Sequence, residues 1–100
     1  MGKVGVATQG VEDMTFCFLD VETTGLDCQN GDRVCEIGLL KRKSQKTIDS
    51  YTTLIDPECE VSEGASRVNG ITNDMLKGKP KFSQVAESIL KVMGDAVIVC

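Results

Sequence analysis

The stretch Phe18-Leu19-Asp20-Val21-Glu22-Thr23-Thr24-Gly25 constrains this chain more than any other part of its sequence. Residues 15–22 alternate with period two, so Phe16, Phe18, Asp20 and Glu22 share one face of a strand, and Cys17, Leu19 and Val21 share the other. That alternation sets Asp20 and Glu22 side by side, about 6.5–7 Å apart along the strand. Two carboxylates that close repel, and a half-buried position raises the cost. A divalent cation removes the conflict, because Mg²⁺ and Mn²⁺ prefer oxygen ligands and often take one or two carboxylates plus substrate phosphate. Thr23-Thr24-Gly25 adds backbone N–H groups and a permissive glycine beside the pair. Spacing alone leaves two readings open: a solvated acidic pair or turn cap at a strand end, and a metal site.

The downstream pattern predicts an α/β unit. Arg33 to Lys43 reads as a second strand, reached through a turn-rich link over 26–32 that contains Asn30-Gly31-Asp32. Thr47 to Ile55 reads as a third strand, joined to the second in an antiparallel hairpin by the short polar connection Lys43-Ser44-Gln45-Lys46. Asp56-Pro57 stops it. Ser62 is placed to cap a short helix through Val68, closed at Asn69-Gly70, and Thr72 to cap a further turn over 73–77. Phe82, Val85, Ala86, Ile89, Leu90 and Met93 recur at helical spacing, with Gly94 as the stop. The apolar run from Ala96 to Cys100 reads as a buried strand, laid parallel to a sheet neighbour by the crossover helix. Residues 1–14 read as a lead-in, and 15–100 as the N-terminal part of one domain that is expected to continue past its last apolar strand.

Composition narrows the function. The net charge is −4, so a strongly basic surface is not what would hold a nucleic acid. The five cysteines, Cys17, Cys28, Cys35, Cys59 and Cys100, are odd in number and form no C-x-x-C pair. Reduced cytosolic thiols fit this better than a zinc site or disulfide framework, with Cys28 and Cys59 as exposed loop thiols. The sequence has no histidine, which excludes a Ser-His-Asp triad, a Cys-His pair and histidine-ligated metal within these residues. No apolar run is long enough to span a membrane, so no membrane partner is expected. Lys41-Arg42-Lys43 with Lys46, and Lys77, Lys79 and Lys81, form two basic stretches that read as solvated turns rather than phosphate contacts. Phe16, Phe18, Tyr51 and Phe82 are scattered and read as core. Glu36 lies among apolar neighbours and reads as structural, with an orientation towards the acidic pair left open.

The string "FLDVETTGLD" resembles the first motif of the DEDD superfamily of 3′–5′ exonucleases, in particular the group of the proofreading epsilon subunit of bacterial DNA polymerase III. "RVCEIGLL", "LIDPECEVSEGASRVNGIT" and "KPKFSQVAESILKVMGDAVIVC" resemble, in order, that family's second strand, its Pro-containing loop with a short helix, and its first long helix with the following strand. The resemblance implies a ribonuclease H-like three-layer α/β fold with a mixed sheet, of which the β-β-β-α-β portion is present. It implies two-metal hydrolysis at DNA 3′ ends, with two Mg²⁺ or Mn²⁺ ions as cofactors. Asp20 would bridge both ions and Glu22 would ligate one. Thr23, Thr24, Gly25 and Leu26 would lie along the terminal nucleotide, and Asn69 would contact substrate. The implied partners are a single-stranded or frayed DNA primer end and a DNA polymerase catalytic subunit, in a bacterial cytoplasm.

Two departures from the family pattern matter. Asn69-Gly70-Ile71 stands where members often carry His-Gly-Ile, and asparagine donates a hydrogen bond but carries no charge. The family's third aspartate, histidine general base and fourth aspartate do not occur within these residues, so the 100-residue chain alone is expected to be inactive. An exonuclease of the same superfamily acting on RNA, and a non-catalytic fragment that binds a polymerase or nucleic acid, stand as alternatives.

Overall fold

A computed structural model of the chain describes residues 13–25 and 33–100. The lead-in through residue 12, Leu26, Cys28 and the link containing Asn30-Gly31-Asp32 lie outside the described residues. Three strands come first: β1 (Thr15–Thr23), β2 (Val34–Lys43) and β3 (Lys46–Leu54). Helices α1 (Glu63–Asn69), α2 (Asn73–Leu76) and α3 (Phe82–Met93) follow, then strand β4 (Val97–Val99). The sheet order is β3-β2-β1-β4, with β1 antiparallel to β2, β2 antiparallel to β3 and β4 parallel to β1. The mixed sheet, hairpin, capped short helices and crossover helix expected from the sequence are all present.

The hairpin turns on Ser44 and Gln45, which have φ of 53° and 65°. Positive φ at both central residues matches the right-handed twist of the flanking strands, although neither residue is glycine. Arg42 straps this turn by donating from its guanidinium to the Gln45 carbonyl at 2.7 Å. Lys41 has a different task. A Cβ added at Gly94, the C-cap of α3, would lie 3.3 Å from Lys41 Nζ, so this ammonium sits at the negative end of the helix dipole. Lys77 and Lys81 pair with Asp74 and Glu58. Lys41, Arg42, Lys77 and Lys81 of the two basic stretches are thus engaged in local structure.

Period two decides which face of the sheet becomes core. Cys17, Ile37 and Leu39 point to one side, where Ile55 and the α3 residues Val85 and Ile89 close over them. Leu19, Tyr51, Val92 and Met93 pack around this cluster. A second cluster of Cys35, Val61, Ile71 and Leu76 anchors α2 and the loops around α1 at the start of β2.

Three expectations are corrected here. Phe16 and Phe18 are not core: they alternate with Cys17 onto the opposite, uncovered face, where Phe18 is 42% exposed. On α3, Leu90 and Phe82 are exposed and the inward stripe is Val85, Ile89, Val92 and Met93. Leu90 lies roughly 140° around the helix from Val85, and Phe82 precedes the first core-facing turn. The β4 strand is not buried, because it forms an edge of the sheet and Val97, Ile98 and Val99 are all exposed.

The α1 ends are set by side-chain chemistry. Ser62 Oγ accepts from the Ala65 N–H at 3.0 Å, and Gly70 closes the helix at φ 75° with open space where a Cβ would stand. Gly70→Ala should therefore destabilise the fold by about 1 kcal/mol through backbone strain alone, and Gly70→Asn by less, as read from urea denaturation midpoints.

Candidate functional site

The C-terminal half of β1 carries the acidic pair. In register, Asp20 lies opposite Gly38 and Glu22 opposite Glu36 on β2, so all three acidic residues leave the sheet on its uncovered face. Asp20 is exposed; Glu22 and Glu36 are half-buried. Gly38 contributes no side chain beside Asp20, and a shallow depression of about 270 Å³ there is bordered by Phe18, Leu40, Ser50 and Thr52. The ladder is broken by a bulge between Glu22 and Thr23, a device that re-aims the chain at a strand end.

After the bulge the backbone is held by Thr24, which is 0% exposed. Its N–H donates to the Arg33 carbonyl at 2.8 Å, and its Oγ1 accepts the Arg33 N–H at 2.9 Å. Its carbonyl accepts the Ser62 N–H at 2.8 Å, and the Cys59 thiol lies 3.8 Å from its hydroxyl. The Thr24 side chain, expected to lie along a substrate, is enclosed, and both its backbone groups are paired within the chain. It is a clamp joining β1, β2 and the N-terminus of α1.

Asn69 forms a second clamp. Its Nδ2 donates to the Thr23 carbonyl at 3.3 Å, and its Oδ1 accepts the Ile71 N–H at 2.9 Å. The side chain expected to touch substrate thus ties the end of α1 to the end of β1. Between the two clamps runs a groove of about 370 Å³, lined by Glu22, Thr23 and Gly25 on one side and Ser62, Gly64, Ala65, Val68 and Asn69 on the other. Val68 is 89% exposed there. The sequence reading missed Val68 and Ala65 as groove residues, although a valine in the last turn before Asn69-Gly70, with no core partner in the helical pattern, was the available sign. Leu26 falls outside the described residues.

Among the described residues no ion pair engages Asp20, Glu22 or Glu36. Burial, together with the charges of Glu36 and Glu22, pushes the Cys35 thiol above the usual thiol range. Two carboxylates on one face, with Glu22 at the rim of the groove, are the type of oxygen donor that a hard divalent cation prefers. Among the described residues no three acidic or thiol groups converge on one metal-sized point.

The mixed sheet, the acidic strand end and the helix-walled groove together form an α/β unit. A family model described as Exonuclease, RNase_T, matches residues 17–100, and the chain belongs to that family. It is 42% identical over 87 residues to a PolC-type DNA polymerase III of Thermotoga maritima, covering 87% of this chain. It is 36% identical over 90 residues to one of Listeria welshimeri, covering 90% of this chain. The chain spans 6% of the length of each of these relatives.

Solved structures show the same ribonuclease H-like fold. The nuclease domain of 3′hExo, a DEDDh family member bound to rAMP, superposes with a TM-score of 0.70 at 20% identity, covering 83% of this chain and 45% of that one. Exonuclease I in complex with an inhibitor gives a TM-score of 0.72 at 22% identity, covering 86% and 20%. Exonuclease X in complex with 5′ overhanging duplex DNA gives 0.66 at 24% identity, covering 74% and 42%.

Two outcomes follow from the clamps and the buried thiol. Thr24→Val keeps the shape but strands the Arg33 N–H, and should cost about 1–2 kcal/mol in urea denaturation. The raised Cys35 pKa means that the unfolded chain releases this proton first as pH rises, so the native state binds more protons and stability falls above the ordinary thiol range. The decline should be measurable as a falling denaturation midpoint between roughly pH 8 and 10, and it should be smaller in Cys35→Ala.

Proposed function

We propose that this chain forms the metal-gripping half of a 3′–5′ exonuclease domain that removes nucleotides from DNA 3′ ends, of the proofreading type, in a bacterial cytoplasm beside a DNA polymerase catalytic subunit. One observation carries the reading: Asp20 and Glu22 project from one face of β1, with no ion pair to a cationic side chain among the described residues, and Glu22 borders a small-residue groove. The PolC-type DNA polymerase III identity of the relatives supports the polymerase context. Among the described residues no helix is long and apolar enough to cross a membrane.

Asp20 and Glu22 would hold the divalent ions, Mg²⁺ or Mn²⁺. When bound, such ions lower the pKa of water and neutralise charge on the scissile phosphate. The remaining work belongs to the chain's own groups. Gly64, Ala65 and Val68 present a smooth, largely apolar wall that takes a nucleotide without reading its base, as an enzyme removing any terminal residue requires. The Thr24 and Asn69 clamps fix the distance between that wall and the carboxylates, and positional precision of this kind is worth orders of magnitude in rate. The 100 residues contain no histidine, so no imidazole base comes from them.

The test is a 5′-labelled single-stranded DNA oligonucleotide incubated with Mg²⁺ or Mn²⁺ and a protein that carries these residues within a complete exonuclease domain. Shortening from the 3′ end is expected, with Asp20→Asn and Glu22→Gln lowering the rate at least about a hundred-fold. The isolated 100-residue chain should leave the oligonucleotide intact. Preferential shortening of an RNA oligonucleotide would reassign the substrate, and DNA binding without cleavage, unaffected by Asp20→Asn, would replace the enzyme by a binding module.

A further inference from the structure

We infer that Glu36 is a positioning residue for the divalent cation, acting through Glu22; the inference rests on the exonuclease reading above. Glu36 on β2 is the direct cross-strand partner of Glu22 on β1. Residues so paired send their side chains off the same face of the sheet with Cβ atoms about 4.5–5.5 Å apart, and like charges in that relation destabilise the pairing. Nothing among the described residues relieves the repulsion. The ion pairs present are Arg67–Glu63, Lys77–Asp74, Lys81–Glu58 and Lys91–Glu87, and none involves either partner. Both carboxylates are half-buried, so solvent screens them less than it would a fully exposed pair.

The position of this pair adds to its meaning. The strand register shifts immediately after Glu22, which makes Glu22↔Glu36 the last pair in strict alternation before the chain turns into the groove. A glutamine at position 36 would keep the hydrogen-bonding capacity and remove the repulsion. The acid therefore costs stability as the sheet stands, and a divalent cation at Glu22 turns that cost into attraction. The inferred role of Glu36 is exerted through Glu22 rather than by direct ligation. Its charge deepens the negative potential at Glu22 and disfavours Glu22 rotamers that lean towards β2.

The experiment is Mn²⁺ titration by calorimetry or electron paramagnetic resonance, with thermal melts in Mn²⁺ and in chelator, on the full chain and its Glu36→Gln, Glu36→Asp and Asp20→Asn variants. Glu36→Gln should weaken Mn²⁺ binding about ten-fold, as expected for losing one unit of charge a few ångströms from a divalent ion. The same variant should melt higher than the wild type in chelator and gain less on Mn²⁺ addition, while Glu36→Asp keeps most of the affinity. Wild-type Mn²⁺ affinity in Glu36→Gln, or a lower melting temperature in chelator, overturns the inference and leaves the acidic pair untouched. Absence of Mn²⁺ binding in the wild type, or binding unchanged by Asp20→Asn, overturns the metal-site reading and this inference with it.

Discussion

Thr24 is the point on which the two halves of the structure depend. Every polar group it owns is bonded inside the protein, to β2 through Arg33 and to the cap of α1 through Ser62. A buried, fully satisfied polar residue of this kind costs little while intact and a great deal when broken, so it acts as a fixed joint. The sheet brings the carboxylates to this joint and the capped helix brings the groove wall. Without it, α1 would be a two-turn helix with no buried residue of its own, and such a helix does not hold position by propensity.

The sheet divides labour between its faces. One face packs Cys17, Ile37 and Leu39 under Val85 and Ile89 and supplies the hydrophobic stabilisation. The other carries Asp20, Glu22 and Glu36 together with the exposed Phe18, Leu40, Val97 and Val99. The charged residues of this second face lie outside the hydrophobic core. The same separation lets Cys35 sit buried on the core side while still feeling the acidic charges around it.

Within the motif, individual residues differ in their surroundings. The family resemblance implied metal ligation by Asp20 and Glu22 and substrate contact along Thr23, Thr24 and Gly25. In the fold they split: Asp20 is open, Glu22 and Thr23 border the groove, and Thr24 is sealed beneath it. Asn69, which stands where a family member often has histidine, spends its amide on Thr23 and Ile71. These bonds tie the end of α1 to the strand end.

The sequence by itself determined the local elements and the sidedness of β1. Alternation, capping residues and turn residues act over two to four positions, and that information is contained in the chain. The strand boundaries, the Ser62 and Thr72 caps, the Gly70 and Gly94 stops and the common face of Asp20 and Glu22 were all legible for that reason. Only the tertiary structure decided which face α3 would cover, that Phe18 would stay exposed and that β4 would lie at an edge. It alone set Glu36 opposite Glu22 and joined Thr23 to Asn69 across 46 residues. Those outcomes depend on register and on packing between distant segments, and no local periodicity encodes which strand a residue will face.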